Sequence, residues 1–193
     1  MMRNRLERQR GNALVESALL LPILLAAGLI AGDLYVVSRA RADLERSTAA
    51  LSAIIANQDS LTAAGLDKLV EGVLAGRTDR YEVFLGQVGR NGEVAWTLSA
   101  GNAEGLCQNP LENSPYQDPL PERDTEDTSN SAAMMVVQAC QQSGALGLGT
   151  LTLENDTLKM VAVNRMRTPD LELDETLRQR AGLPDEDDEE YEE

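Results

Sequence analysis

Histidine is absent from this chain of 193 residues, aromatic side chains make up only 3% of it, and cysteine occurs twice. Without an imidazole, the common Ser-His-Asp and Cys-His nucleophile arrangements and all histidine-based metal sites are excluded, and two cysteines as far apart as Cys107 and Cys140 make no zinc motif. Asp, Glu and Lys remain for acid-base chemistry but fall in no recognisable constellation, so the reading is of a protein that is not an enzyme and needs no cofactor. The stretch Gly144-Ala-Leu-Gly147-Leu-Gly149 lacks a phosphate-loop lysine and the strand-to-helix context of a dinucleotide site, and reads as a flexible turn. Basic charge is scarce too: 17 Lys and Arg stand against 32 Asp and Glu, a formal charge of −15. Phosphate backbones repel such a surface, which disfavours nucleic acid as a partner.

What the chain does have is one long apolar run. From Asn12 to Gly32 a single residue, Glu16, carries charge. A helix over these residues reaches about 30 Å, the thickness of a hydrocarbon core, whereas the apolar part of a secretory signal is about 7–15 residues long. The run therefore reads as a membrane-spanning helix. Arg3, Arg5, Arg8 and Arg10 precede it against one acid, Glu7, which keeps the N-terminus cytoplasmic and sends everything after Asp33 outward. The alternative is a cleaved signal peptide, for which Ala26, Ala27 and Ala31 supply small residues. Pro22 inside the run removes one backbone hydrogen bond and invites a bend.

A carboxylate in such a segment costs roughly 2.5–3.5 kcal/mol at full depth, so Glu16 needs either a partner for its charge or a place at the headgroup level. The run Gly11-Asn-Ala-Leu-Val-Glu16-Ser-Ala-Leu-Leu-Leu-Pro22-Ile, followed by Gly32-Asp33-Leu-Tyr35, resembles the N-terminal signal of TadE-like minor pseudopilins of the tight-adherence (Tad, Flp) pilus, a type IV-like system. Ser17 stands where Flp-type signals usually carry an aromatic residue. The resemblance covers about forty residues. It implies cleavage by a prepilin peptidase between Gly11 and Asn12, which makes Glu16 the fifth mature residue. It also implies an inner-membrane protein with a periplasmic domain, whose partners are other pilins, pseudopilins and the assembly platform. The new α-amino group at Asn12 would then be available to pair with Glu16 of a lateral neighbour.

Past the span, Leu44, Leu51, Ile54 and Ile55 recur near helical spacing and predict an amphipathic continuation packed against the outer domain. A second helix is expected over Leu61 to Leu74, with Asp59 or Ser60 as its cap and Gly76 as its stop. Tyr81 to Val88 and Glu93 to Ser99 alternate about Asn91-Gly92, a tight-hairpin signal. Met134 to Ala139 reads as a buried strand or a short helix, and Thr150 to Glu154 with Leu158 to Asn164 as a second hairpin. The fold expected is α+β: a long N-terminal transmembrane helix continuing into a pilin-like domain with an antiparallel sheet of four to five strands.

Between hairpins, Gln108 to Asn130 is rich in Pro, Asn, Asp and Ser and reads as a long surface loop bracketed by Cys107 and Cys140. In an exported chain a single disulfide is the economical reading; two buried free thiols are the alternative. From Asp170 onward charge dominates. Residues 170–193 hold twelve acids and two arginines, and although Leu171 to Ala181 fits a short helix, the end reads as a disordered tail, solubilising or docking to a basic partner. The organisation expected is a basic leader at 1–11, a transmembrane helix at 12–38, a periplasmic domain at 39–169 and an acidic tail at 170–193. Two functions follow: a minor pseudopilin in pilus initiation, tip or anchoring, or an unprocessed bitopic membrane protein whose outer domain is a protein-binding module.

Overall fold

The computed structural model describes residues 3–121, 132–142 and 157–184, with side chains from Ser17 onward. Among these, residues 3–40 form one unit and residues from 41 on form a second. One helix, α1 (Arg3–Ala56), supplies the whole of the first and enters the second, its helical assignment unbroken at Pro22.

In the second unit α1 buries Leu44, Thr48, Leu51, Ser52 and Ile55, which recur on one helical face. Ile54, expected on that face, lies off it and is 39% exposed. The two buried hydroxyls are satisfied. Thr48 Oγ1 donates back to the Leu44 carbonyl at 2.7 Å, while Ser52 Oγ donates to Met135 O at 3.1 Å and accepts from Asn164 Nδ2 at 3.0 Å. Ser52 thereby ties helix to sheet without a large side chain between them.

The sheet has four antiparallel strands in the order β3-β2-β4-β5. They are β2 (Tyr81–Gly89), β3 (Val94–Gly101), β4 (Ala133–Gln142) and β5 (Thr157–Arg165), with short β1 (Ser60–Leu61) before them. Residues 134–139 are thus strand, not helix. The expected strand at 150–154 lies outside the described residues, as does the glycine stretch 144–149. Side chains alternate across the sheet. Val83, Leu85, Leu98, Met135 and Val137 face the helices, whereas Val88 and Val136 belong to a second apolar cluster on the opposite face.

The hairpin forms about Asn91-Gly92 as expected, and its turn takes in Arg90 as well. Gly92 N–H donates to Gly89 O at 2.9 Å, Gly89 N–H to Glu93 O at 2.7 Å, and only Gly92 takes a positive φ, of 84°. This is a three-residue loop closed by a left-handed glycine. The register also slips by one residue, since Gln87 pairs with Trp96 and Val88 with Val94.

Helix α2 (Ala63–Val73) begins later than expected, and its cap is Thr62, whose hydroxyl accepts from Gly65 N–H at 3.1 Å. Asp59 and Ser60 are engaged elsewhere: Ser60 and Leu61 pair in parallel with Glu172 and Leu173, which form β6, and Asp59 O accepts from Glu172 N–H at 3.1 Å. At the helix end, Ala75 at φ 51° takes the left-handed position and Gly76 N–H returns to Glu71 O at 2.9 Å, a Schellman closure one residue ahead of the glycine.

The largest correction concerns the C-terminal segment. Within 170–184 Leu171, Leu173 and Leu177 are buried in the main core, and the short helix expected at Leu171 to Ala181 forms as α3 (Glu175–Ala181), ending at Gly182 in the left-handed conformation. Asp174 secures this strap. One carboxylate oxygen accepts from Leu177 N–H at 2.9 Å, capping α3, and the other from Ala63 N–H at 2.7 Å, at the start of α2. A helix cap contributes about 1 kcal/mol, so Asp174→Ala is expected to cost about 2 kcal/mol in urea unfolding. A loss under about 0.5 kcal/mol would show that Leu177 burial alone holds the strap. The acidic run at 185–193 lies outside the described residues.

Candidate membrane and assembly segment

The residues singled out for processing and assembly, Gly11, Asn12 and Glu16, all lie on the helical backbone of α1. On that backbone Asn12 and Glu16 are four residues, about one turn, apart. From Ser17 on, the helix presents apolar side chains on every side: Leu19, Leu20, Leu21, Ile23, Leu24 and Leu25 are each 57–69% exposed. A helix apolar all round has no stable arrangement in water by itself. It is the one helix among the described residues long and apolar enough to cross a membrane. Asp33, the first charged residue after the run, is only 1% exposed, while Tyr35 two residues on is 65% exposed.

A second candidate is the segment after β3. Cys107 and Cys140 are joined in a disulfide, with Cα atoms 6.2 Å apart. Beside them Glu82, the cross-strand partner of Cys140, points its carboxylate into the loop. It accepts N–H bonds from Gly105 at 3.0 Å, Leu106 at 2.7 Å and Cys107 at 3.0 Å. Three such bonds satisfy a nearly buried carboxylate and fix the path of the chain into the bridge.

The described part of the loop, through residue 121, is not the free surface excursion expected of it. Leu111 and Tyr116 are buried against Val88 and Val136 on the outer face of the sheet. Gly86 makes room for Leu111: a Cβ there would meet Leu111 Cδ1 at 2.8 Å and Trp96 O at 2.5 Å. Gln138 Nε2 donates to Gln108 O at 2.8 Å, and Tyr116 N–H to Gly92 O at 2.7 Å. Burial, with the Asp118 carboxylate adding to it, pushes the Tyr116 phenol up to about 12. The described part of the loop covers the sheet and completes a second core there.

Elsewhere a cleft of about 260 Å³ lies between α2 and the end of β3, bounded by Asp67, Glu71, Thr78, Gly101 and Asn102. Asp67 is in an exposed ion pair with Arg180 at 3.8 Å, and no group of three His, Cys, Asp or Glu among the described residues could hold a metal ion. Sequence reasoning missed Glu82 and Asp174. Asp174 had a local sign, a capping residue three before buried Leu177; Glu82 had none, because its partners lie over twenty residues away.

Fold and site together define an α+β protein on a long apolar helix. No family model, curated protein or solved structure matches the chain.

Proposed function

We propose that the chain is a membrane-anchored minor pseudopilin of the TadE-like kind, cleaved by a prepilin peptidase after Gly11 and drawn into assembly of a Tad-type pilus. The observation that carries this reading is the single helix α1. After the basic leader and the residues Gly11, Asn12 and Glu16 it presents a stretch from Leu19 to Leu25 that is apolar on all sides, and its C-terminal part supplies the core beneath an antiparallel sheet. That division of labour suits a subunit held laterally in the bilayer by one half and carrying a folded head on the other. Spanning with the leader on the cytoplasmic side places the disulfide in an oxidising compartment, in keeping with the pairing of Cys107 and Cys140.

The test is the mass of the mature chain. In cells that contain the peptidase, membrane-extracted protein is expected to begin at Asn12, which moves the formal side-chain charge from −15 to −18 because the leader holds four arginines and one glutamate. Gly11→Leu is expected to leave the full-length form. An uncut wild-type chain would favour an unprocessed anchor with a binding domain, and a cut near Ala31 would make the run a secretory signal.

A further inference from the structure

The two ends of the Cys107–Cys140 bridge stand in unlike surroundings. Cys140 lies in the interior strand β4, paired with Glu82 of β2 on one side and Lys159 of β5 on the other, and is 0% exposed. Cys107 lies in the loop after β3 and is half-buried. In thiol–disulfide exchange a thiolate attacks one sulfur along the S–S axis and the other sulfur leaves, so the rate depends on which sulfur can be reached. An attack on Cys140 Sγ has to come from among the packed side chains of the sheet. An attack on Cys107 Sγ comes from the loop side.

The neighbours of Cys140 provide for a sulfur that leaves and returns. Gln138, two residues earlier on the same face, is fully buried; its Nε2 lies 3.7 Å from Cys140 Sγ and donates to Gln108 O at 2.8 Å. The other end of that amide, Oε1, is buried with no hydrogen-bond partner among the described residues. An unpaired buried acceptor is costly, and the S–H that reduction creates at Cys140 is a donor for it. Lys159, directly across from Cys140, brings positive charge beside the departing thiolate. Glu82 holds the Cys107 N–H at 3.0 Å, which keeps the other sulfur close enough for the bridge to close again.

We infer that Cys107–Cys140 is an exchangeable redox site of the folded protein, entered through Cys107, with a low-molecular-weight thiol and its disulfide as co-reactants. In reduction the reagent thiolate bonds to Cys107 Sγ and the S–S bond breaks. Cys140 leaves as a thiolate, takes a proton from water and donates it to Gln138 Oε1. A second reagent thiolate then displaces Cys107, which is protonated in turn, and the two reagent sulfurs leave as a disulfide, having given up two electrons. Oxidation runs the same steps backwards, with Cys140 displacing the reagent from Cys107. The inference is independent of pilus assembly.

Glutathione tests it, on the full chain in detergent micelles. Excess reduced glutathione is expected to open the bridge in buffer without denaturant. Limiting iodoacetamide, added to the reduced chain in the same buffer and mapped by peptide mass, is expected to label Cys107 about tenfold or more faster than Cys140. Reduction that proceeds only in urea, equal labelling of the two cysteines, or faster labelling of Cys140 would overturn the proposal. Gln138→Leu removes the acceptor for the Cys140 thiol and is expected to shift the equilibrium with glutathione about threefold or more toward the bridge. An unchanged equilibrium, or a shift toward the thiols, would overturn the part given to Gln138.

Discussion

Cys107→Ser is expected to lower the stability of the α+β body by roughly 3–4 kcal/mol, the chain-entropy value for a loop closed over 33 residues. Cys107 is the better site to change, because Cys140 is fully buried and a serine there would also leave a hydroxyl under the loop. The loss has a structural readout. Glu82 continues to hold Gly105, Leu106 and residue 107 by their N–H groups, so the first turn of the loop stays in place while the part carrying Leu111 and Tyr116 opens more often from the sheet. Urea unfolding of the variant, and of the unaltered protein under reductant, should shift alike. The double variant Cys107→Ser with Cys140→Ser should show no response to reductant. A shift below about 1 kcal/mol would mean that Glu82 and the burial of Leu111 suffice to close the loop.

What could be read in the residues, and what could not, divides by distance along the chain. The period-two strands about Asn91-Gly92 and the helical recurrence of Leu44, Leu51 and Ile55 are local patterns, and they led to the observed elements. Cys107 and Cys140 were legible as a pair because the chain has just these two cysteines. Thr62 was missed as a cap because Ser60, a plausible cap, and Leu61, a plausible first helical residue, are taken into a parallel pair with Glu172 and Leu173 more than a hundred residues later. The same long-range pairing explains the error at the C-terminus. A segment with many acids reads as solvated tail unless one sees that Leu171, Leu173 and Leu177 have a groove to fill and that Asp174 has two helix starts to serve. In the loop, Leu111 and Tyr116 were hidden among prolines and polar residues. Their meaning depends on the vacancy at Gly86, which only the folded sheet creates. The candidate site was the reverse case. Gly11, Asn12 and Glu16 were singled out from sequence, and the fold adds to them the continuous helix on which they stand.

On the proposed pseudopilin reading, Glu16 is the residue whose change should separate processing from assembly. If Glu16 pairs with the α-amino group of Asn12 on a neighbouring subunit, Glu16→Gln keeps the shape and removes the attraction, which in a low-dielectric setting is worth far more than in water. Leader cleavage and membrane insertion should then proceed as before, while crosslinking to the major pilin within the membrane and the number of surface pili fall together. A glutamate resting at the headgroup level predicts otherwise. Its replacement relieves a small insertion cost and leaves partner contacts unchanged. Because Asn12 and Glu16 stand about one turn apart along α1, a third arrangement is pairing within one chain, and it differs in its stoichiometry. A mixture of wild-type and Glu16→Gln subunits should poison assembly if each glutamate serves a neighbour, since every variant subunit leaves an adjacent amino group unpaired. With pairing inside each chain, the wild-type subunits in the same mixture should assemble undisturbed. Normal crosslinking and normal piliation by fully cleaved Glu16→Gln protein would remove the registry role and leave the pseudopilin reading to rest on cleavage after Gly11.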